Sequence, residues 1–313
     1  MSTHAAFPGL LCESPAIVFV NSAAGGGRAL VYLSRIQKLF ESLSIPAQFI
    51  ATNSVAELEA SAQNAILQGR QTLFAMGGDG TFQALANAAF GADVLLGVLP
   101  SGGGNDFAAA LGLSGGLLEA AEAILCGVPR AVDLLKVRTA EGRMRLYVGG
   151  GGIGLDAEAA RHASGAYRRF PGRMRYIASA LRALVGFMPL EIHLEFPGSD
   201  LIAEDAKCLL AAVLNTPTYG AGLRLAPGAT VDDGLMHVVL IGDIGRLGIL
   251  RLLPRLMGSG ELRTSRVKRW QVTKARFTTS KPCMFHADGE IIGSTPVEIE
   301  VMPRAIQILA PKS

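Results

Sequence analysis

The sequence predicts an α/β domain with a parallel sheet followed by a mostly antiparallel, β-rich domain. Three observations carry that expectation. Apolar strand-like runs alternate with helix-period segments from Ala16 to Leu125. From Val132 onward strand-like runs dominate and helical ones are few. Glycine clusters follow three of the first four strand-like runs. Alternating β-α units imply parallel strands wrapped by helices, whereas a run of strands implies a separate antiparallel domain. The boundary is expected near Pro129 to Asp133, giving domains over 14–131 and 132–313.

Ala16 to Asn21 is a continuous apolar run, the pattern of a strand buried on both faces. It breaks into Ser22-Ala23-Ala24-Gly25-Gly26-Gly27-Arg28, after which Leu30, Leu33, Ile36, Leu39, Phe40 and Leu43 recur at helical spacing. Ala47 to Ala51 reads as the second strand, with Thr52 or Asn53 capping a helix over roughly Val55 to Gln68. Thr72 to Met76 is the third strand, and Phe82 to Ala89 the helix after it. Val94 to Leu99 is the fourth, followed by Pro100-Ser101-Gly102-Gly103-Gly104-Asn105-Asp106 and helices over Phe107 to Leu111 and Leu117 to Leu125.

Beyond Val132, Leu134 to Arg138 pairs naturally with Arg143 to Val148 across Ala140-Glu141-Gly142. Gly149 to Gly154 is almost all glycine. Further strands are expected over 190–196, 207–215, 235–241, 267–273, 275–279, 284–287, 297–301 and 305–309, with Ile244 to Met257 the one helical pattern among them.

Composition narrows the function classes. The 313 residues suffice for two domains with cores of their own. Hydrophobic residues at 50% against 18% charged suit much buried sheet. A net charge of +3 is too mild to argue for nucleic acid. Cys12, Cys126, Cys208 and Cys283 have neither metal-ligand nor redox spacing, which suits reduced thiols in a cytoplasmic protein. No secretory leader is read in Met1 to Glu13, and no run approaches the ~20 apolar residues of a membrane span.

The chain is organised around Gly77-Gly78-Asp79-Gly80-Thr81. A strand, a glycine turn and a helix start form a phosphate site, because backbone N–H groups approach an anion closely and the helix dipole favours it. Asp79 is the odd residue there, since a carboxylate repels a phosphate. It makes sense beside a metal ion or a substrate hydroxyl, or if it holds the loop by accepting backbone N–H bonds. A plain tight turn that caps a helix is the competing reading. Arg28 at a helix start is unfavourable for the dipole and favourable beside an anionic ligand. In open parallel sheets ligands bind beyond the carboxyl ends of the strands, so three glycine loops on that edge point to a nucleotide.

Gly77 to Thr81 together with Pro100 to Phe107 resembles the diacylglycerol kinase catalytic-domain family, which includes bacterial lipid kinases and is similar to the sphingosine and ceramide kinases. Asn21 to Ala29, Val132-Asp133-Leu134, Gly152 to Ala157, Tyr219 to Gly222, Ala226-Pro227, Asp232 to Leu235 and Asp288-Gly289-Glu290 follow its motifs in order, so the resemblance spans nearly the whole chain. It implies a nucleotide-binding α/β domain, a β-sandwich-like lipid domain, an active site in the inter-domain cleft, and room for the last strand to cross back to the first domain. The implied reaction is phosphorylation of a lipid hydroxyl by ATP with magnesium.

Carried over by motif, Asp288 is the base and Glu290 assists it, while Asp79 holds the nucleotide loop and the magnesium network. Asn21, Gly25, Gly26, Arg28, Thr52, Gly77, Gly78, Gly80, Thr81, Ser101, Gly102, Gly103 and Asn105 are the implied nucleotide contacts. Asp106 and Asp133 are implied outer members of the metal network through water, and Asp233 a member of a distant structural site that suits magnesium or calcium. Two departures stand out: Gly103 replaces the family's usual threonine, and Ser22 and Gly26 replace a proline and a basic residue of the first loop.

A lipid kinase meets a membrane, and the basic stretch with Arg168, Arg169, Arg173 and Arg175 suits an anionic leaflet, in competition with a solvated face. The implied setting is cytoplasmic with peripheral membrane contact, no nucleic acid, and a homodimer left open. His162, His193, His237 and His286 show no partner pattern and are expected to be ordinary surface or core residues. Diacylglycerol, sphingoid bases, ceramide and phosphatidylglycerol all offer a suitable hydroxyl. A soluble NAD or sugar-phosphate kinase and a non-catalytic nucleotide- or lipid-binding homologue are the competing functions.

Overall fold

The structure is a computed structural model that describes residues 14–113, 115–165, 172–220, 222–245, 248, 251, 254, 255, 257, 258 and 264–312. The chain divides into two compact units, one reaching Val132 and including Arg304 onward, the other running from Asp133 to Pro303.

In the first unit β1 (Ala16–Asn21), β2 (Ala47–Thr52), β3 (Thr72–Gly77) and β4 (Leu95–Pro100) are connected by helices. These are α1 (Arg28–Ser42), α2 (Val55–Leu67) and α3 (Asp79–Ala89), with α4 (Asp106–Ala110) and α5 (Leu117–Leu125) after β4. The strands pair in parallel in the order β2, β1, β3, β4, and the chain's final strand adds to β4 through Gln307 and Ile308. Register aligns the strand ends: Asn21 lies opposite Thr52, and Gly77 opposite Pro100. The all-apolar runs of β1 and β3 are fully buried, as strands with helices on both faces must be. Phe40 packs edge-on against Phe49 and Phe74, tying α1 to the sheet.

Two local expectations change. Ser54, not Thr52 or Asn53, caps α2: its hydroxyl accepts the Glu57 N–H, and the Glu57 carboxylate accepts the N–H of Asn53, the residue before the cap. Thr52 instead completes β2. The helix after β3 begins at Asp79 rather than Phe82, so Asp79, Gly80 and Thr81 form its first turn.

The second unit starts within β5 (Val128–Arg138), which pairs antiparallel with β6 (Met144–Tyr147). Then come β7 (Gly150–Gly154), β8 (Leu190–Glu195), β9 (Glu204–Leu214), β10 (Met236–Gly242), β11 (Val267–Val272) and β12 (Lys274–Thr279), followed by β13 (Met284–Ala287), β14 (Glu290–Ser294) and β15 (Val297–Ala310). The pairings among β6 to β14 are antiparallel, as is that of β12 with β15. The sandwich core holds Tyr147, Ile153, Leu194, Val213, Val238, Phe277 and Phe285.

Three findings differ from expectation. The glycine run is itself a strand, β7. The strands expected over 297–301 and 305–309 are one continuous β15, whose residues from Arg304 onward belong to the first unit rather than to a domain running to 313. The second unit also contains two helices, α6 (Leu155–Ser164) and α7 (Gly172–Gly186), where only a basic stretch was read; Leu155, Ala183 and Leu184 seal them together. The helix expected over 244–257 falls largely outside the described residues, as do Arg168 and Arg169. No helix among the described residues is long and apolar enough to cross a membrane.

Candidate functional site

The first unit brings three loops together at the aligned carboxyl ends of its strands. From β1 the chain moves to β2 on one side and then crosses back past β1 to β3 on the other, the kind of switch point where open sheets bind ligands. Asn21 at the end of β1 donates to the Thr81 hydroxyl in the first turn of α3 at 2.9 Å. Gly25, Gly26 and Gly27 all have left-handed φ, at 59°, 73° and 91°, a run that side chains would strain. A Cβ on Gly25 would lie 2.3 Å from the Ser101 carbonyl oxygen of the loop after β4.

The glycines of the central motif serve closeness rather than φ. A Cβ on Gly77 would strike the Thr81 hydroxyl at 2.2 Å, and one on Gly102 would lie 2.4 Å from the Gly78 Cα. The Ser101 and Gly102 amides both donate to the Gly77 carbonyl, at 2.9 and 3.2 Å. Asn105 closes its own loop by accepting from the Gly102 amide and donating to the Gly102 carbonyl.

Asp79 joins the two loops. Its carboxylate oxygens accept the first N–H groups of α4, from Asp106 at 2.9 Å and from Phe107 at 3.2 Å. Of the roles open to Asp79, holding the loop is thus visible in the geometry. The helix bearing it and the helix it caps are locked by Phe82 and Phe107, stacked at 5.0 Å. Arg28 heads α1 and is exposed, and the Ser101 hydroxyl is buried with no hydrogen-bond partner among the described residues. That orphaned group, the glycine cradle and a cation suit an oligophosphate. Thr52 sits at the same sheet edge, but its hydroxyl is buried and turned toward the Val20 carbonyl.

Among the described residues no group of three or more His, Cys, Asp or Glu side chains could hold a metal. Magnesium bound mainly through phosphates and its own waters would fit such a donor set, with Asp79 and the buried Asp106 as its nearest carboxylates.

The second unit holds the other implied residues. Asp133 is fully buried, and its carboxylate accepts the Gly234 N–H at 2.7 Å. Asp233 in that loop accepts from Leu235 at 2.9 Å and from Thr230 at 3.3 Å. Both carboxylates therefore hold the 230–235 turn.

Asp288 and Gly289 form the two-residue turn between β13 and β14, with φ of 46° and 87°. Asp-Gly suits that geometry, which needs positive φ twice. The Asp288 carboxylate points back onto the β6–β7 connection. Its oxygens accept N–H bonds from Val148 at 2.8 Å and from Gly149 and Gly150 at 3.0 Å each. Burial of the carboxylate raises its pKa above the ordinary aspartate value, outweighing the three N–H bonds and the His286 charge, which lower it. A Cβ on Gly149 would lie 2.9 Å from Asp288 Oδ1, so the glycine run makes room for this seat. Glu290 pairs with Arg145 at 3.6 Å.

A buried cluster escaped the sequence reading. Tyr219, Asp156 and His286 meet through polar atoms, with the Tyr219 hydroxyl 2.9 Å from Asp156 Oδ2 and 2.5 Å from His286 Nε2. The three are separated by 63 and 67 positions along the chain, so no local spacing announces them. Asp156 and Tyr219 stood inside recognised motifs, which was the one available signal.

Comparison with known proteins agrees with this geometry in both halves of the chain. Residues 15–137 match the diacylglycerol kinase catalytic domain. Residues 151–310 match the YegS C-terminal NAD kinase beta sandwich-like domain. The chain is 30% identical to a diacylglycerol kinase of Mycobacterium tuberculosis (strain ATCC 25618 / H37Rv) over 79% of each chain. It is 24% identical to a diacylglycerol kinase of Bacillus subtilis (strain 168), covering 94% of this chain and 96% of that one. Its fold matches a crystal structure of a diacylglycerol kinase from Bacillus anthracis str. Sterne with a TM-score of 0.71 at 17% identity, over 95% and 96% of the two chains. With both halves matched in order and at these extents, the chain belongs to the diacylglycerol kinase catalytic-domain family.

Proposed function

We propose that this protein transfers the γ-phosphate of ATP to the hydroxyl of a membrane lipid. The observation that carries the reading is Asp288: a buried carboxylate on three backbone N–H groups, with its pKa raised, has the features of a base. In this reading the three glycine loops and Arg28 cradle the phosphates, and Asp79 keeps two of those loops in register. Asp288 takes the proton of the lipid hydroxyl as its oxygen bonds to the γ-phosphorus and ADP departs. Magnesium, when bound, offsets phosphate charge. Glu290 acts on the charge around Asp288 through Arg145.

Contact with a bilayer accompanies this reading. Leu181 and Val185 project from α7 one turn apart, and Met188 follows; all three are exposed, at 44%, 62% and 78%. Arg182 lies beside them and is exposed too. An apolar stripe next to a cation suits an anionic leaflet.

The test is incubation of purified protein with labelled ATP, magnesium and mixed micelles of diacylglycerol, sphingosine, ceramide or phosphatidylglycerol, with NAD as the control. Label in one lipid and none in NAD is the expected result. Label in NAD alone would overturn the reading in favour of a soluble kinase.

A further inference from the structure

Two consecutive peptide groups form much of the seat of Asp288, and each is held at both ends. The peptide joining Val148 to Gly149 donates its N–H to Asp288 Oδ1 at 3.0 Å, and its oxygen accepts from Asn215 Nδ2 at 3.1 Å. The peptide joining Gly149 to Gly150 donates to the same Oδ1 at 3.0 Å, and its oxygen accepts the Asn215 backbone N–H at 2.8 Å. One residue, the first after β9, therefore pins both oxygens. The second hydrogen of the Asn215 side-chain amide goes to the Asp133 carbonyl of β5, at 3.0 Å. Two carbonyl neighbours fix which end of that amide is nitrogen.

Asn215 is fully buried, and its Oδ1 has no partner among the described residues. An unpaired buried acceptor weakens a fold. Leucine would fill a similar volume without one. Packing thus explains this side chain poorly, and the two carbonyls it holds explain it well. The pins matter because the segment is glycine. A Cβ on Gly149 would lie 2.9 Å from Asp288 Oδ1, and one on Gly150 would lie 2.6 Å from Leu214 Cδ2. Side chains that would restrict backbone rotation are excluded there, so these peptide planes turn easily. A plane turned over would aim a carbonyl oxygen at the carboxylate.

We propose that Asn215 is a positioning residue for Asp288, on the reading of Asp288 as the base: it holds two glycine peptide planes with their N–H groups on the carboxylate and so keeps that carboxylate aimed during phosphate transfer. The coupling runs through hydrogen bonds. A bond to a peptide oxygen polarises the N–H of the same peptide, so each Asn215 bond strengthens a bond to Oδ1. Thr216 adds little. Its hydroxyl lies 2.8 Å from the Thr218 carbonyl and 3.3 Å from that of Gly149, and its one proton serves the nearer.

The titratable groups around Asp288 are His286 on β13, Tyr147 ending β6, Tyr219, and Glu290 across the turn, which pairs with Arg145. Burial pushes both tyrosines well above the ordinary range. The Asn215 side chain bonds to none of these groups, so replacing it leaves their charges in place.

The experiment compares the full chain with its Asn215→Leu and Leu194→Ala variants. Leu194 is a core residue of β8, which pairs with neither β7 nor β13, so its truncation weakens the unit away from the seat. Three quantities are read: the Asp288 titration by carboxyl-carbon NMR, lipid-kinase kcat, and KM for ATP. Two or three N–H bonds lower a carboxylate pKa by about two units, so loosening one in Asn215→Leu should raise the Asp288 midpoint by about one. There kcat should fall by up to about 10²-fold, the effect of a misplacement of about 1 Å, with KM for ATP unchanged. Leu194→Ala should leave the midpoint in place. An unmoved midpoint in folded Asn215→Leu overturns the proposal, and so does an equal shift in Leu194→Ala. Should Asn215→Leu not fold, the wild-type chain decides: its Asn215 side-chain amide protons should shift with the Asp288 midpoint, and a flat response overturns the proposal. If wild type phosphorylates no lipid while the midpoint moves as expected, the base reading falls and the role of Asn215 in seating Asp288 stands.

Discussion

Asp79 and Asp288 both spend their carboxylates on backbone N–H groups, and the contrast between them is instructive. Asp79 accepts the first two amides of a short helix, so its charge meets a partial positive dipole and fastens two loops. Asp288 accepts three amides from a strand connection, yet burial prevails and its pKa rises. The same bonding pattern therefore serves two ends. Near the helix terminus it fixes geometry; in the enclosed seat it leaves a carboxylate ready for a proton. Environment, rather than bond count, separates the two.

The sharpest way to break this comparison is Asp288→Asn. Turnover should fall roughly 10²–10⁴-fold, the range for loss of a general base. ATP-induced thermal stabilisation should persist. The amide can no longer accept from both Val148 and Gly149, so a melting loss of about 1–3 kcal/mol is also expected. Near-normal turnover in the folded variant would remove Asp288 from the chemistry.

Asp79→Asn should do the reverse. One of its two charge-assisted bonds to α4 is lost, costing about 1.5–3 kcal/mol. The phosphate loops should loosen, and the stabilisation by ATP and magnesium should shrink, since ligand binding adds stability by mass action. An unchanged ATP-induced shift would separate Asp79 from the nucleotide.

The pH dependence sharpens the contrast further. Because the folded pKa of Asp288 is raised, its protonated form favours the fold. That contribution is fully present below the ordinary aspartate pKa of about 4 and is lost as pH rises through the folded value. Wild type and Asp288→Asn should therefore differ in stability by a pH-dependent amount, measured by denaturant titration. The acidic limb of kcat should lie above pH ~4.

Gly102→Ala offers a smaller and more local test. Its methyl group would fall 2.4 Å from the Gly78 Cα, so the backbones must part, at about 1–3 kcal/mol. ATP binding should weaken with it. Ser54→Ala, far down the same unit, should cost about 1 kcal/mol and leave ATP binding alone.

Much of this was legible in the sequence, and the reasons differ by element. The buried strands β1 and β3 are apolar runs of the right length, and the hairpin at Asp288-Gly289 carries its own turn signal. The strand β7 was not legible, because glycine ordinarily weakens a strand. Here it is chosen for the backbones and carboxylates that crowd Gly149 to Gly154. The start of α3 was misplaced because glycines read as loop, although Gly80 lies within the helix. The Asp156–Tyr219–His286 cluster is assembled by tertiary contact alone. His286 in particular looks in sequence like any strand residue on a polar face.

The path of β15 has a consequence for how the protein is made. The parallel sheet that carries the glycine loops is finished by Gln307 and Ile308, more than 200 residues after β4, with Ile308, Leu309 and Ala310 fully enclosed. A nascent chain that has emerged only as far as Val132 carries the phosphate motifs but exposes the edge of β4. Open edges invite mispairing, and domains normally fold as they leave the ribosome. The first unit must instead wait for the entire second unit to be synthesised. The sheet beneath the glycine loops is thereby completed late, and truncation anywhere before Arg304 should cost the first unit its closing strand as well as the second unit its end.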